Sequence, residues 1–203
     1  GRPVGGRRSV FDTGTHAWTT PGWAAPRAGA RPATSRWFVS GHRLVTDPRQ
    51  VEATRLSWRH DPSAPVPAAG GARFSPDAGA APQNEIERRP DLLAFTSDVL
   101  TAPLTLAGRA EALVEVGSDA ATWDLVLRLC DVAPDGTSTV VTDTIRRVFA
   151  AAGDGARVRF DLRVHTFRAG HRVRLHVASS CFPRWQHCTG EPRRQHDAVL
   201  PKG

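Results

Sequence analysis

Three segments in the second half of the chain alternate residue by residue, and that period limits the fold more than any other feature. Trp123, Leu125, Leu127 and Leu129 alternate with Asp124, Val126, Arg128 and Cys130. Val158, Phe160, Leu162 and Val164 alternate with Arg157, Arg159, Asp161 and Arg163, and Val173, Leu175 and Val177 with Arg172, Arg174 and His176. A period of two sends successive side chains to opposite faces of a strand. One face then lines a core and the other does not, as in half-buried antiparallel strands.

The breaks between these segments fit the same reading. Pro134-Asp135-Gly136 is a tight turn that predicts a hairpin between 123–133 and 138–149. Gly153-Asp154-Gly155 and Arg168-Ala169-Gly170 interrupt the next two strands. Leu104–Val116 and Thr139–Phe149 are further strands, and shorter ones are expected near Ser9–Thr13, Ser35–Ser40 and Thr54–Trp58. No segment keeps a 3.6-residue apolar period beyond two turns. Many short strands without a strong helix predict an all-β, two-sheet sandwich.

Composition narrows the classes. No apolar run approaches the roughly 20 residues of a membrane span, and no signal-peptide core opens the chain. Methionine is absent and residue 1 is glycine, so a piece of a longer protein, or a processed form, is expected. The net charge is +7, but Lys202 is the only lysine. Arginine with abundant Ala, Gly and Pro reads as the coding bias of a GC-rich genome. The excess charge sits in residues 1–60, where ten arginines face Asp12, Asp47 and Glu52. Those arginines are scattered, so a nucleic-acid footprint is not expected.

Arg157, Arg159, Arg163, His165, Arg172, Arg174 and His176 all fall on the non-core faces of two successive strands. If those strands pair, they form a basic patch. It reads first as a solvated face, then as a face docked on another domain. An anion- or nucleic-acid-binding surface is third, because the aromatics that such sheet faces interleave are missing.

Catalytic motifs are lacking. The α/β-hydrolase elbow needs G-x-S-x-G, because its serine sits on a strained strand-to-helix turn. Gly136-Thr137-Ser138-Thr139-Val140 is the nearest approach, without the closing glycine. No phosphate-binding G-x-x-x-x-G-K-[ST] loop and no H-E-x-x-H occurs. None of the eight histidines has a nucleophile or carboxylate at a telling spacing. Asp124 and Asp131 read as strand-face and strand-end solvation. Cys130 reads as a small hydrophobe inside a strand. Cys181 and Cys188 could pair, or hold a metal with His187 and His176. Their C-x6-C spacing is unusual for zinc, so two reduced thiols are expected. No catalytic, cofactor-binding or metal-binding residue is assigned. Of the six tryptophans, Trp18, Trp23, Trp37 and Trp58 lie in the proline-rich first stretch. They read as core or interface residues, with sugar or peptide stacking as the alternative.

Several motifs in order resemble a known family. Phe167-Arg168-Ala169-Gly170-His171-Arg172-Val173-Arg174-Leu175, followed by Ser179-Ser180-Cys181-Phe182-Pro183-Arg184-Trp185, is similar to the C-terminal, non-catalytic domain of X-Pro dipeptidyl-peptidases and the related CocE/NonD serine hydrolases. Arg89–Ser97, Leu129–Gly136, Asp61–Pro67 and Val10–Trp18 carry further matches. The loop after Pro183-Arg184 is shortened to Gln186-His187-Cys188 before Thr189-Gly190, and Cys181 replaces the usual Asn.

The resemblance implies a galactose-binding-like jelly roll of two antiparallel sheets, spanning residues 61–189. Residues 1–60 would link it to an absent α/β-hydrolase domain, and residues 190–203 would form a polar tail. It also implies that the Ser-Asp-His triad belongs to that absent domain. The chain is therefore expected to be an accessory domain, inactive alone. Its partners would be the catalytic domain and that domain's small ester or peptide substrate, with no nucleic acid, membrane or cofactor. The reduced cysteines favour the cytoplasm. A free-standing carbohydrate- or peptide-binding jelly roll, with Trp18, Trp23 or Trp37 as its platform, is the alternative.

Overall fold

The computed structural model describes residues 9–20, 34–149 and 156–189, with the side chains of 109 and 156–163 left aside. Among the described residues, ten strands carry the fold. β1 (Val10–Asp12) and β2 (Ala17–Thr19) form a hairpin; β3 (Phe38–Ser40) and β4 (Arg43–Val45) form another. β5 (Leu92–Ser97), β6 (Leu104–Val114), β7 (Thr122–Val132), β8 (Ser138–Phe149), β9 (Ala156–Phe167) and β10 (Arg172–Ala178) follow. A six-stranded sheet runs in the order β3-β4-β5-β10-β7-β8, and β6 pairs with β9 in a second layer.

The leucine face of β7 forms the core between the layers. Trp123, Leu125, Leu127 and Leu129 cluster with Phe95, Phe167, Val173 and Val177. Leu104, Leu106, Ala110 and Ala112 of β6 pack against them. This is the alternation read from the sequence, and it gives an all-β sandwich.

The opposite face of β7 is buried too. Asp124, Val126, Arg128 and Cys130 are all covered. The cover is the long connection between β4 and β5, which crosses this face without regular strands and carries Val66, Gln83, Ile86 and Glu87. Val66 and Ile86 form a second apolar cluster with Leu92 and Ala178. That crossover also lets β4 run parallel to β5, Arg43 opposite Thr96 and Leu44 opposite Ser97. The six-stranded sheet is therefore mixed, not purely antiparallel; a parallel neighbour needs such a connection.

Two expectations about strands are corrected. Thr54–Trp58 is not a strand; Leu56 and Trp58 pack on the core from irregular chain, where Trp58 Nε1 donates to Ser179 Oγ at 2.9 Å. β9 and β10 do not pair: β9 lies on β6, whereas β10 lies between β5 and β7. The connection between them crosses from one layer to the other, so no joint basic patch forms.

β9 also changes phase. The β6–β9 register shifts between Leu106 and Gly108, where Gly108 takes φ +102°, a conformation glycine adopts without strain. Beyond that bulge His165 shares a face with Phe167. Its ring meets the Phe167 ring edge-on at 4.7 Å between centroids, so the expected solvent-side placement of His165 is wrong. The side chains of Arg157, Arg159 and Arg163, together with Trp23 and residues 190–203, lie outside the described structure.

Candidate functional site

The polar residues of the sandwich gather into two clusters. The first lies under the β4–β5 crossover, on the outer face of β7 and β10. His176 Nε2 is 2.8 Å from Glu87 Oε1, and Arg174 pairs with the other oxygen of the same carboxylate. Cys130 Sγ lies 3.8 Å from His176 Nδ1 and 3.9 Å from Nε2. Arg128 donates to Gln83 Oε1 at 2.6 Å and to Cys181 Sγ at 3.0 Å. Arg184 pairs with buried Asp143 at 3.0 Å, and Arg147 holds Asp124 through two bonds of 2.7 and 2.8 Å.

The second cluster joins the two layers and the β1–β2 hairpin. Asp131 on β7 takes His165 Nε2 at 3.2 Å on one oxygen and His171 Nδ1 at 2.8 Å on the other. Thr13 Oγ1 reaches His165 Nδ1 at 2.8 Å. Next to it, Asp12 accepts from the Thr166 amide at 2.9 Å and from the Thr166 hydroxyl. Burial pushes the Asp12 carboxyl up, but the bonds from Thr166, Gly14 and Thr15 outweigh it and hold the carboxyl below the ordinary range.

Two of these arrays have the order of a catalytic triad, Cys130–His176–Glu87 and Thr13–His165–Asp131, which spacing along the chain did not reveal. Neither is built to react. Cys130 has no exposed surface, and burial pushes its thiol up to about 12. The thiolate is the nucleophile, so this sulfur stays protonated and out of reach. Burial also lowers the basicity of His176, against the opposing pull of Glu87. In the other array His165 is buried against Phe167, and its carboxylate is shared with a second imidazole. A reacting carbonyl must sit about 3 Å from both nucleophile and oxyanion donors, and the packed ring leaves no such place beside His165. A cavity of 380 Å³ lined by Ala72, Arg73, Phe74, Ser75, Pro183 and Arg184 contains no member of either array.

The residues singled out in the sequence are dispersed. Cys130, Cys181 and Cys188 are all buried and free. Cys188 Sγ donates to the Thr122 carbonyl at 3.2 Å, and His187 meets Phe182 edge-on. The alternative grouping of Cys181 and Cys188 with His187 and His176 is not among the metal-capable clusters of the described residues; His176 instead joins Cys130 and Glu87. Asp124 and Asp131 are not solvating residues: Asp124 is buried against Arg147, and the mostly covered Asp131 is bonded to His165 and His171. Arg172 donates to the Ser97 carbonyl and Arg174 to Thr96 and Glu87, so these basic residues are internally engaged. Ser138, in the nearest approach to an elbow, is fully buried at the start of β8. Trp37 packs on the core. Trp18 stands 73% exposed, edge-on to Phe11 at 5.7 Å. Sequence spacing gave no signal for Glu87, which sits in a single 3-10 turn, Ile86–Arg88, of the β4–β5 connection.

Residues 7–201 match the family model described as the X-Pro dipeptidyl-peptidase C-terminal non-catalytic domain. A cocaine esterase of Rhodococcus sp. (strain MB1 Bresler) is 33% identical over 143 residues, 64% of this chain and 25% of the esterase. A solved α-amino acid ester hydrolase superposes with a TM-score of 0.71 at 24% identity, over 89% of this chain and 34% of that one. An aminopeptidase from a marine sediment Thaumarchaeota archaeon gives 0.67 at 21%, with the same two coverages. These two structures show a shared fold. The chain spans about a quarter of the curated relative and a third of the solved chains.

Proposed function

From the premise that this chain belongs to the X-Pro dipeptidyl-peptidase C-terminal non-catalytic domain family, we propose that it serves as the accessory β-sandwich of a serine hydrolase. Residues 61–189 would supply most of the sandwich, residues 1–60 the link to an α/β-hydrolase domain, and 190–203 a tail. The hydrolase domain would cleave small esters or amides by acyl transfer, with serine as nucleophile, histidine as base and an oxyanion hole. This chain would supply packing against that domain and no reacting group.

The carrying observation is the family match over residues 7–201. The internal commitment of the polar side chains supports it. Glu87, Asp124, Asp131 and Asp143 each face a histidine or arginine, as a structural framework requires. No helix among the described residues is long and apolar enough to cross a membrane, and three free thiols suit a reducing compartment such as the cytoplasm.

The test is turnover. The purified chain should not hydrolyse p-nitrophenyl esters or Xaa-Pro amides, whereas the polypeptide encoded with its upstream sequence should hydrolyse one of them. Activity of the chain alone, free of contaminants, overturns the reading. Exposed Trp18 favours one other reading, a stacking platform for glycans or peptides. Quenching of tryptophan fluorescence by glycans, lost in Trp18→Ala, would establish that instead.

A further inference from the structure

Glu87, Cys130 and His176 offer one carboxylate oxygen, one sulfur and one imidazole nitrogen within 4.8 Å of one another. Cys130 Sγ and His176 Nδ1 are 3.8 Å apart. A cation bound at about 2.05 Å to nitrogen and about 2.3 Å to sulfur puts those atoms about 3.6 Å apart in tetrahedral geometry and about 4.4 Å apart in linear geometry. The observed gap lies inside that window.

The surroundings prepare the imidazole for such a role. Nε2 faces Glu87 Oε1 at 2.8 Å, which fixes the proton on Nε2 and leaves the Nδ1 lone pair free. A carboxylate behind a ligating histidine is the usual supporting partner in metal sites. The buried Ser138 hydroxyl lies beside both Glu87 and Cys130 and favours the ionised form of each.

Charge selects the kind of cation. Arg128 and Arg174 lie close to Cys130, and Arg174 is paired with Glu87. A divalent ion replacing the thiol proton adds a positive charge beside two guanidiniums. A monovalent one leaves the local charge unchanged, and thiolate sulfur with imidazole suits soft copper(I). We propose that Cys130 and His176 form a buried site for a soft monovalent cation of the copper(I) class, with Glu87 orienting the imidazole.

Binding breaks the Cys130 S–H bond, forms a sulfur–metal bond and releases one proton to solvent, with no change of oxidation state. Sγ is nearly equidistant from the two ring nitrogens, so the ring must tilt about χ2 to aim Nδ1; that torsion is broad. Because Cys130 has no exposed surface, the ion enters during folding or local opening. The site does not depend on the accessory-domain reading.

The test loads copper(I) anaerobically while the chain refolds, then adds the chelator bicinchoninate. In a Cys181→Ser/Cys188→Ser chain one equivalent should stay with the protein. Adding Cys130→Ser should surrender it, and His176→Gln should weaken retention by about tenfold or more. In the unaltered chain, imidazole ¹⁵N spectra should show the His176 Nδ1 resonance shifting on loading. If the variants do not fold, that resonance decides alone. An unmoved resonance, or copper retained equally after Cys130→Ser, overturns the site.

Discussion

His165 on β9 and Asp131 on β7 meet at 3.2 Å across the two layers of the sandwich. The same carboxylate takes His171 from the β9–β10 connection, and Thr13 closes the array from the hairpin. Asp131 thus ties β7 to β9 and to the β9–β10 connection, and the hairpin joins through the Thr13 bond to His165. Asp131→Ala leaves two mostly buried imidazoles without their acceptor, and a buried donor left unsatisfied costs about 1–3 kcal/mol. Urea denaturation should show a midpoint lowered to match. Asp98→Ala, which loses only an exposed pair with Arg43, should change it little. Equal midpoints for the two variants would show that the array holds nothing together.

The hairpin itself is seated by close backbone approach. A Cβ at Gly14 would lie 2.1 Å from the Thr166 carbonyl oxygen, and the Thr13 amide donates to Val164 at 3.0 Å. Gly14→Ala should therefore lift β1–β2 off β9 and leave the six-stranded sheet intact. Hydrogen exchange is the readout: the amides of Thr13 and Thr166 should lose protection while those of Leu127 and Leu175 keep theirs. Uniform protection in the variant would mean that the loop yields at no cost.

The core follows ordinary cavity energetics. Leu127 has no exposed surface and sits among the inter-layer residues, so Leu127→Ala should cost about 2–5 kcal/mol. Val39→Ala, at an exposed position, should stay within about 0.5 kcal/mol. Thermal melts of both variants test the contrast.

Much of this core was legible. The leucines of β7 announce their face by period alone, and Pro134-Asp135-Gly136 marks the β7–β8 hairpin. The other face of β7 was not legible. Asp124, Arg128 and Cys130 look like a solvated face until irregular chain folds over them, and irregular chain has no period. Glu87 was invisible for the same reason. His165 was misread because the bulge at Gly108 shifts the phase by one residue, and a count by twos carried through it inverts the side chain. The order of the family motifs placed the fold. The two polar clusters depend on contacts across 23 to 154 positions, which spacing does not encode.

Thiol chemistry should separate the cysteines from an ordinary exposed thiol. Burial pushes Cys130 up to about 12 and raises Cys181 as well. Neither should react with iodoacetamide at pH 8 in the folded chain, and both should react in urea. Rapid alkylation of Cys130 under native conditions, read by mass spectrometry of its peptide, would contradict the burial of the β7 outer face.

Acid should weaken the fold in two steps, and the first belongs to His176. Burial lowers its affinity for a proton below the ordinary 6.5, with Glu87 opposing. Below about pH 6.5 the unfolded chain therefore binds a proton that the folded chain refuses, and stability falls as pH drops until the folded histidine also titrates. The second step belongs to Glu87. Burial raises its carboxyl, but the His176 and Ser138 hydrogen bonds with the nearby Arg174 charge outweigh it and hold it below the ordinary 4.5. Its contribution is present above that value and lost as pH falls through the folded one. Asp12 acts in the same direction at the hairpin, below its ordinary 3.8. Urea midpoints measured from pH 8 to pH 3 should decline from about pH 6.5 downward, and His176→Gln should remove the upper part of that decline and lessen the Glu87 part, which loses its His176 bond. An unchanged upper slope in His176→Gln would show that the buried imidazole is not what senses the acid.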